Sequence, residues 1–316
     1  MSIARRGEGL ENSKGPQNNP AVGLVIIGSY RSGTSVATRV VNLLGMPVTH
    51  YSDLVPPARA NPTGFWESAL MNRHNEWLLR QVGSSWCHPP CKEKSEQLMV
   101  RDEWLPASRN LFRHVHSTSR WAWKEPRLCL TLPWWRKALP EISLGILMLR
   151  HPLECAASSQ EFLGLDKDWG LAIWERYMRQ ALPALTDLHV TVSTYESFQQ
   201  APLLWGEKVL DMLSGSGLQA PKGWRDAVRS LVRRKNNRFA ESLSRRLPVE
   251  ISELWNQLKD LEGAHLVFPD VRLAPESSWT TELLSRRVRE SAMRGIRTSR
   301  SAPSHNHLFP PRQNLS

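Results

Sequence analysis

The chain has 316 residues, 41% of them hydrophobic, enough for one full α/β core with length left for tails and no need of a second domain. Its 41 Lys and Arg against 30 Asp and Glu leave a net charge of +11, which points to an anionic partner. Met1 to Pro20 is polar with no apolar h-region, no apolar run reaches membrane-spanning length, and the four cysteines show no disulfide-scaffold pattern, so a cytoplasmic protein with free thiols is expected.

Val22, Leu24, Val25, Ile26 and Ile27 form a short run, within Ala21 to Gly28, of the length and β-branched content of a buried parallel strand. Residues 28–35, Gly-Ser-Tyr-Arg-Ser-Gly-Thr-Ser, have the frame of a phosphate-binding loop. Thr34 stands where the lysine of such a loop should follow Gly33, and the cation lies inside the loop as Arg31. What remains is an anion cradle made of backbone N–H groups, the hydroxyls of Ser32, Thr34 and Ser35, and the positive end of a helix that starts near Gly33. Val36, Val40, Val41, Leu43 and Leu44 recur at helical spacing behind it, and Gly45 and Pro47 close the segment.

Further along, Ala69 to Val82 reads as a helix stopped by Gly83, and a weaker helix is expected over Lys94 to Phe112, interrupted or ended near Pro106. Trp121 to Lys124 reads as a short strand, and Leu132 to Leu139 as a short helix with Pro133 in its first turn. Ser143 to Leu149 is the clearest second core strand; Pro152 then suits the first turn of a helix running to Leu163. A long helix covers Trp169 to Leu185, bent at Pro183, and His189 to Ser193 is another strand. Strands alternating with helices imply a parallel sheet whose ligand sites lie at the carboxyl ends of its strands. Arg31, Lys124, Arg150 and Tyr195 all fall at such ends, so cations distant in sequence are expected to converge on one anionic ligand.

Other features are read more blandly. Cys87-His-Pro-Pro-Cys91, with His114 and His116, has the wrong spacing for a metal site, and no metal is expected. The basic stretch from Lys222 to Arg246 (Arg225, Arg229, Arg233, Arg234, Lys235, Arg238, Arg245) and the second from Arg286 to Arg300 carry no nucleic-acid motif, so solvated faces and a basic tail are favoured over duplex binding. Trp66, Trp86, Trp134, Trp135 and Trp174 are taken as core or half-buried packing, some of them free to line a ligand cleft. The expected layout is a disordered tail over 1–20, an α/β domain over 21–270 and a basic, mobile tail over 271–316.

Five ordered segments resemble the sulfotransferases that use 3′-phosphoadenosine 5′-phosphosulfate (PAPS). Ser29-Tyr-Arg-Ser-Gly-Thr-Ser35 is similar to their 5′-phosphosulfate loop, in the Arg-Ser-Gly-Thr form of many bacterial members and of protein-tyrosine sulfotransferases. Arg150-His-Pro-Leu-Glu-Cys-Ala-Ala-Ser158 is similar to the 3′-phosphate motif. Asn61-Pro-Thr-Gly-Phe-Trp-Glu67, Trp123-Lys-Glu-Pro-Arg127 and Thr194-Tyr-Glu196 resemble segments of bacterial members, and beyond residue 200 the match is poor. The resemblance implies a P-loop-containing α/β fold with a central parallel sheet flanked by helices. It implies PAPS held by Arg31, Ser32, Gly33, Thr34, Ser35, Arg150, Ser158 and Tyr195, with Arg31 and Lys124 stabilising charge on the transferred group. An acceptor hydroxyl needs a base. Glu67 is the first candidate and His50, by analogy with the cytosolic members, the second. The acceptor stays open among carbohydrate, glycolipid, peptide and small metabolite, and Arg127 is free either to meet an acidic acceptor or to pair with a helix. A P-loop kinase or NTPase and a non-catalytic anion or nucleic-acid binding protein are the alternatives.

Overall fold

The computed structural model describes residues 21–232, 243 and 245–286. Five strands form one sheet in the order β2-β1-β3-β4-β5: β1 (Val22–Ile27), β2 (Arg120–Lys124), β3 (Ile142–Leu149), β4 (His189–Thr194) and β5 (Gly263–His265). The first four are mutually parallel; β5 runs antiparallel on β4, so the sheet expected to be parallel carries one reversed edge strand. The order of β1, β2 and β3 places the second strand on one side of the first and the third on the other. That reversal opens a crevice outside the carboxyl ends of β1 and β3, where open α/β sheets bind ligands.

Alternation along the strands decides which helices cover which face. Leu24, Ile26, Ile146 and Met148 point to one face, packed by α1 (Thr34–Leu43), α8 (Tyr195–Gln200), α9 (Pro202–Leu213) and α10 (Trp224–Leu231). Val25, Ile27, Leu147 and Leu149 point to the other, packed by α2 (Ala69–Gln81), α4 (Leu105–Val115), α5 (Leu128–Ala138), α6 (Pro152–Leu163), α7 (Lys167–Leu185) and α11 (Val249–Asp260). Trp134, Trp135 and Trp174 are buried in this second layer, as read, while Trp66 and Trp86 are half-buried. Among the described residues no helix is long and apolar enough to cross a membrane.

Three helical expectations need correction. The single helix over Lys94 to Phe112 is two, α3 (Lys92–Met99) and α4, separated by a turn at the exposed Val100 and a 3-10 segment at Asp102–Trp104. Pro106 opens α4 rather than ending a helix, since a missing N–H is tolerated in the first turn. Helix α5 starts at Leu128, so Pro133 lies inside it. The boundary expected at residue 270 also moves. Ser277, Thr280 and Leu284 are buried, and Glu175 of α7 accepts hydrogen bonds from both hydroxyls, so packed structure continues past it. Residues 1–20, most of the second half of the 222–246 basic stretch and everything after 286 lie outside the described residues.

Candidate active site

A cavity of about 700 Å³ occupies the crevice at the carboxyl ends of β1, β2, β3 and β4. Register aligns its walls: Ile26 pairs with Lys124, Ile27 with Leu147, and Leu149 with Thr194, so the loop after β1, Lys124, Arg150 and Tyr195 leave the sheet at one level. Helix α1 begins at Thr34 with no side-chain cap and no acidic residue in its first turn, which leaves its leading N–H groups to the cavity. Gly33 serves two needs. Its φ is +95°, and a β-carbon there would stand 2.4 Å from the Tyr195 ring, which packs against the loop.

At the β3 end the structure brings together Arg31, Arg150, Ser158 and Tyr195. Arg31 Nε donates to Ser158 Oγ at 2.9 Å, Arg31 Nη2 donates to the Ala60 carbonyl at 2.9 Å, and the guanidinium lies 4.8 Å over the Phe162 ring. Arg150 Nη1 donates to the Arg31 carbonyl at 3.2 Å, its Nε to Glu154 at 3.0 Å, and its guanidinium lies 4.8 Å over the Tyr195 ring. Burial first, and the neighbouring Arg150 charge second, lower the pKa of Arg31 from its usual value. Two guanidiniums drawn this close form a site to which an anion would bind with relief of their repulsion.

At the β2 end, Lys124 is almost fully buried, with Nζ donating to Glu67 Oε1 and, at 3.2 Å, to Ser35 Oγ. The other carboxylate oxygen of Glu67 accepts from Asn72 Nδ2 at 2.7 Å, so both members of this buried ion pair have second partners, the condition under which such a pair is tolerated. Local structure fixes Glu67. Its carbonyl accepts from Val55 N at 2.8 Å, and the next residue, Ser68, caps α2 by accepting from Met71 N at 3.0 Å. Below the pair, Glu125 has no exposed surface, and burial raises its pKa while Arg127 opposes the rise.

Several expected residues stand apart. Ser32 does not line the cavity; its hydroxyl is turned under the loop, 2.6 Å from where a β-carbon on Gly28 would stand, so of the three hydroxyl residues expected to form the cradle Thr34 and Ser35 line the cavity. His50 is exposed, bonded through Nδ1 to Ser52 Oγ at 2.7 Å, and does not line the cavity either. Arg127 lines the cavity but is already ion-paired, to Glu76 at 2.9 Å and to Glu125 at 2.6 Å. In the basic stretches, Arg225, Arg229, Arg245 and Arg286 pair with Glu207, Asp226, Asp168 and Glu282. Residues the sequence reading missed include Phe162, Asn72 and Tyr30, all lining the cavity. Phe162 was findable: it lies one turn after Ser158 on the same face of α6.

The sequence matches no protein-family model and no curated protein. Among solved structures the chain is similar to the sulfotransferase STF1 from Mycobacterium tuberculosis, at 16% identity over 77% of each chain with a TM-score of 0.44. It is also similar to the sulfotransferase domain of the Synechococcus olefin synthase, at 16% identity over 85% of this chain and 95% of that one, TM-score 0.37. A third is the sulfotransferase domain from the curacin biosynthetic pathway, at 14% identity over 85% of this chain and 97% of that one, TM-score 0.36. The functional reading therefore rests on the residues of the cavity.

Proposed function

We propose that the protein is a sulfotransferase that moves the sulfuryl group of PAPS to an acceptor hydroxyl. The observation that carries this is the division of one cavity into two chemically distinct ends. One end gathers Arg31, Arg150, Ser158 and the Tyr195 ring, a set suited to phosphate and a purine. The other holds a lysine and a carboxylate joined as a pair, Lys124 and Glu67, next to the capless start of α1.

On this reading Arg150, Ser158 and Tyr195 hold the 3′-phosphate end of the donor. The loop amides, Thr34 and Ser35 hold the 5′ end, and Arg31, now bonded to Ser158, lies between them. Transfer of a sulfuryl group resembles phosphoryl transfer, in which alignment and charge stabilisation dominate. The acceptor oxygen forms a bond to sulfur as the bond from sulfur to the 5′-phosphate oxygen breaks. Glu67 takes the hydroxyl proton, Lys124 and Arg31 meet the charge on the transferred group and the departing phosphate, and 3′-phosphoadenosine 5′-phosphate (PAP) leaves. The loop holds no lysine after Gly33, so the donor's charge falls to side chains from three strand ends, and the reaction is read as metal-independent. A cytoplasmic location accords with these substrates.

Titration of the purified protein with PAP in EDTA, read by thermal denaturation, tests the reading. Stabilisation by about 2.7 kcal/mol is expected at a hundredfold excess of ligand over its dissociation constant, with none from ATP. Stabilisation by ATP only with magnesium, and none by PAP, would return the protein to the P-loop kinases and NTPases.

A further inference from the structure

The wall of the cavity near Glu67 and Lys124 is built from rings and from paired charges. Tyr30, Phe65 and Trp86 line it, the Tyr30 and Trp86 rings with centroids 4.9 Å apart, and Arg127 lies among them. Arg127 is the residue that would recruit an acidic acceptor, but two of its three guanidinium nitrogens are already committed to carboxylates. Nε donates to Glu76 Oε2 at 2.9 Å and Nη1 to Glu125 Oε1 at 2.6 Å. Glu125 also accepts from Arg127 N at 3.1 Å and Asn75 Nδ2 at 2.8 Å, and Glu76 also accepts from Trp86 N at 3.2 Å. Burial works against the charge of Arg127, yet Glu125 foremost holds its pKa above the ordinary value.

The charged groups at this end are thus Glu67, Glu76 and Glu125 against Lys124 and Arg127. Arg80 reaches Glu76 only from solvent, at 3.5 Å with 71% of its side chain exposed, and Arg59 lies exposed on the rim. A carboxylate or sulfate entering here would lose its water and find the two lining cations of this end, Lys124 and Arg127, already paired with carboxylates, leaving only the exposed Arg59 of the rim to meet it through solvent. A flat uncharged molecule loses little and gains ring contact.

Resting on the sulfotransferase reading, we infer that Glu76 is a specificity-determining residue: together with Glu125 it neutralises Arg127, so the acceptor site takes uncharged hydroxy compounds with a flat face and rejects anionic ones. Glu76 acts through Arg127 and touches no reacting atom.

Two phenols that differ only in charge test this: 4-hydroxyphenylacetamide and 4-hydroxyphenylacetate, each offered with PAPS to the wild-type protein and to Glu76→Gln. The amide is expected to exceed the acid in kcat/KM by about tenfold or more in the wild type. Glu76→Gln keeps the side chain's shape and an acceptor for Trp86 N but removes one of the two charges on Arg127. It should shrink that ratio at least about fivefold, chiefly through a lower KM for the acid. A purely structural role for Glu76 would slow both phenols equally and leave the ratio unchanged, which overturns the inference. So does an acid that matches the amide in the wild type, a comparison that needs no variant to fold. Stabilisation by PAP is measured on the same protein. If PAP stabilises and neither phenol is sulfated, this inference falls and the donor reading stands; if PAP does not stabilise, both fall.

Discussion

Replacing Glu67 by glutamine separates the job the structure shows for the carboxylate, neutralising a buried lysine, from the one proposed for it, accepting a proton. Lys124 is 1% exposed, and its ammonium is left beside a neutral amide. Breaking one side of a buried ion pair costs about 3–5 kcal/mol, and the lower end applies here because Ser35 Oγ and the glutamine carbonyl still accept from Nζ. Loss of a general base slows transfer by about 10²-fold or more. The double variant Glu67→Gln with Lys124→Met distinguishes the two effects: most of the lost stability should return, because no charge is then stranded, while transfer stays slow. Urea denaturation and initial rates with PAPS and a saturating acceptor read the two separately, and PAP affinity should change little, since Glu67 stands at the opposite end of the cavity from Arg150. Transfer by Glu67→Gln within about threefold of the wild type would refute the assignment. His50, exposed and outside the cavity, offers no replacement in this structure.

Arg31→Ala removes the guanidinium that joins Ser158, the Ala60 carbonyl and Phe162; transfer should fall by about 10³-fold while the cooperative unfolding transition persists, and near-normal turnover would take Arg31 out of the mechanism. Stability should decline on acidification for a reason remote from the site. His116 and His74 are held neutral by burial, with pKa values lowered to about 3 and about 4, so the unfolded chain binds protons that the folded one refuses. Their contribution is complete above the ordinary histidine value near 6.5 and is lost as pH falls below it, by about 2 kcal/mol for each at pH 5. His116→Phe, which keeps the stacking on Phe112 at 4.5 Å, should reduce the drop in urea midpoint between pH 7 and pH 5; an unchanged drop would show that His116 titrates normally in the folded state.

The parts of the fold that were legible are those where one residue type decides. An apolar β1 followed by a glycine-framed loop, Pro152 at the first position of α6 and a stop at Gly83 could hardly be read otherwise. The split between α3 and α4 was hidden because apolar residues recur at helical spacing on both sides of the break. The early start of α5 was hidden for the opposite reason: Leu128 to Leu132 are all buried, so the segment has no polar face to mark it as a helix. The last third of the chain supplied no motif, and β5, three residues long, has too little alternation to be seen. In the site, strand-end position alone brought Arg31, Lys124, Arg150 and Tyr195 together, because register follows from parallel pairing. Their partners were not readable. Arg31 bonding Ser158, Lys124 bonding Glu67 and Arg127 bonding Glu76 join residues far apart in sequence, and which way Ser32 turns depends on the space beneath Gly28.

Backbone conformation adds an argument that links the two ends of the cavity. Among the described residues, the non-glycine positions with positive φ are Arg31 at +68°, Trp66 at +59° and Asp187 at +68°. The first is the loop cation itself and the second immediately precedes Glu67. A bulky residue in the left-handed region costs on the order of 1–3 kcal/mol and persists only where neighbours hold it. Those neighbours are present. Trp66 donates through Nε1 to the Thr63 carbonyl at 3.1 Å and lies under the Arg39 guanidinium at 4.5 Å, while Arg31 is held from both sides by Ser158 and Ala60. Ala60 and Glu67 belong to one loop, and that loop is closed at its ends by the Leu54 to Ser68 bridge. The Arg31 end of the cavity and Glu67 are therefore tied through a single segment, the loop that holds both Ala60 and Glu67.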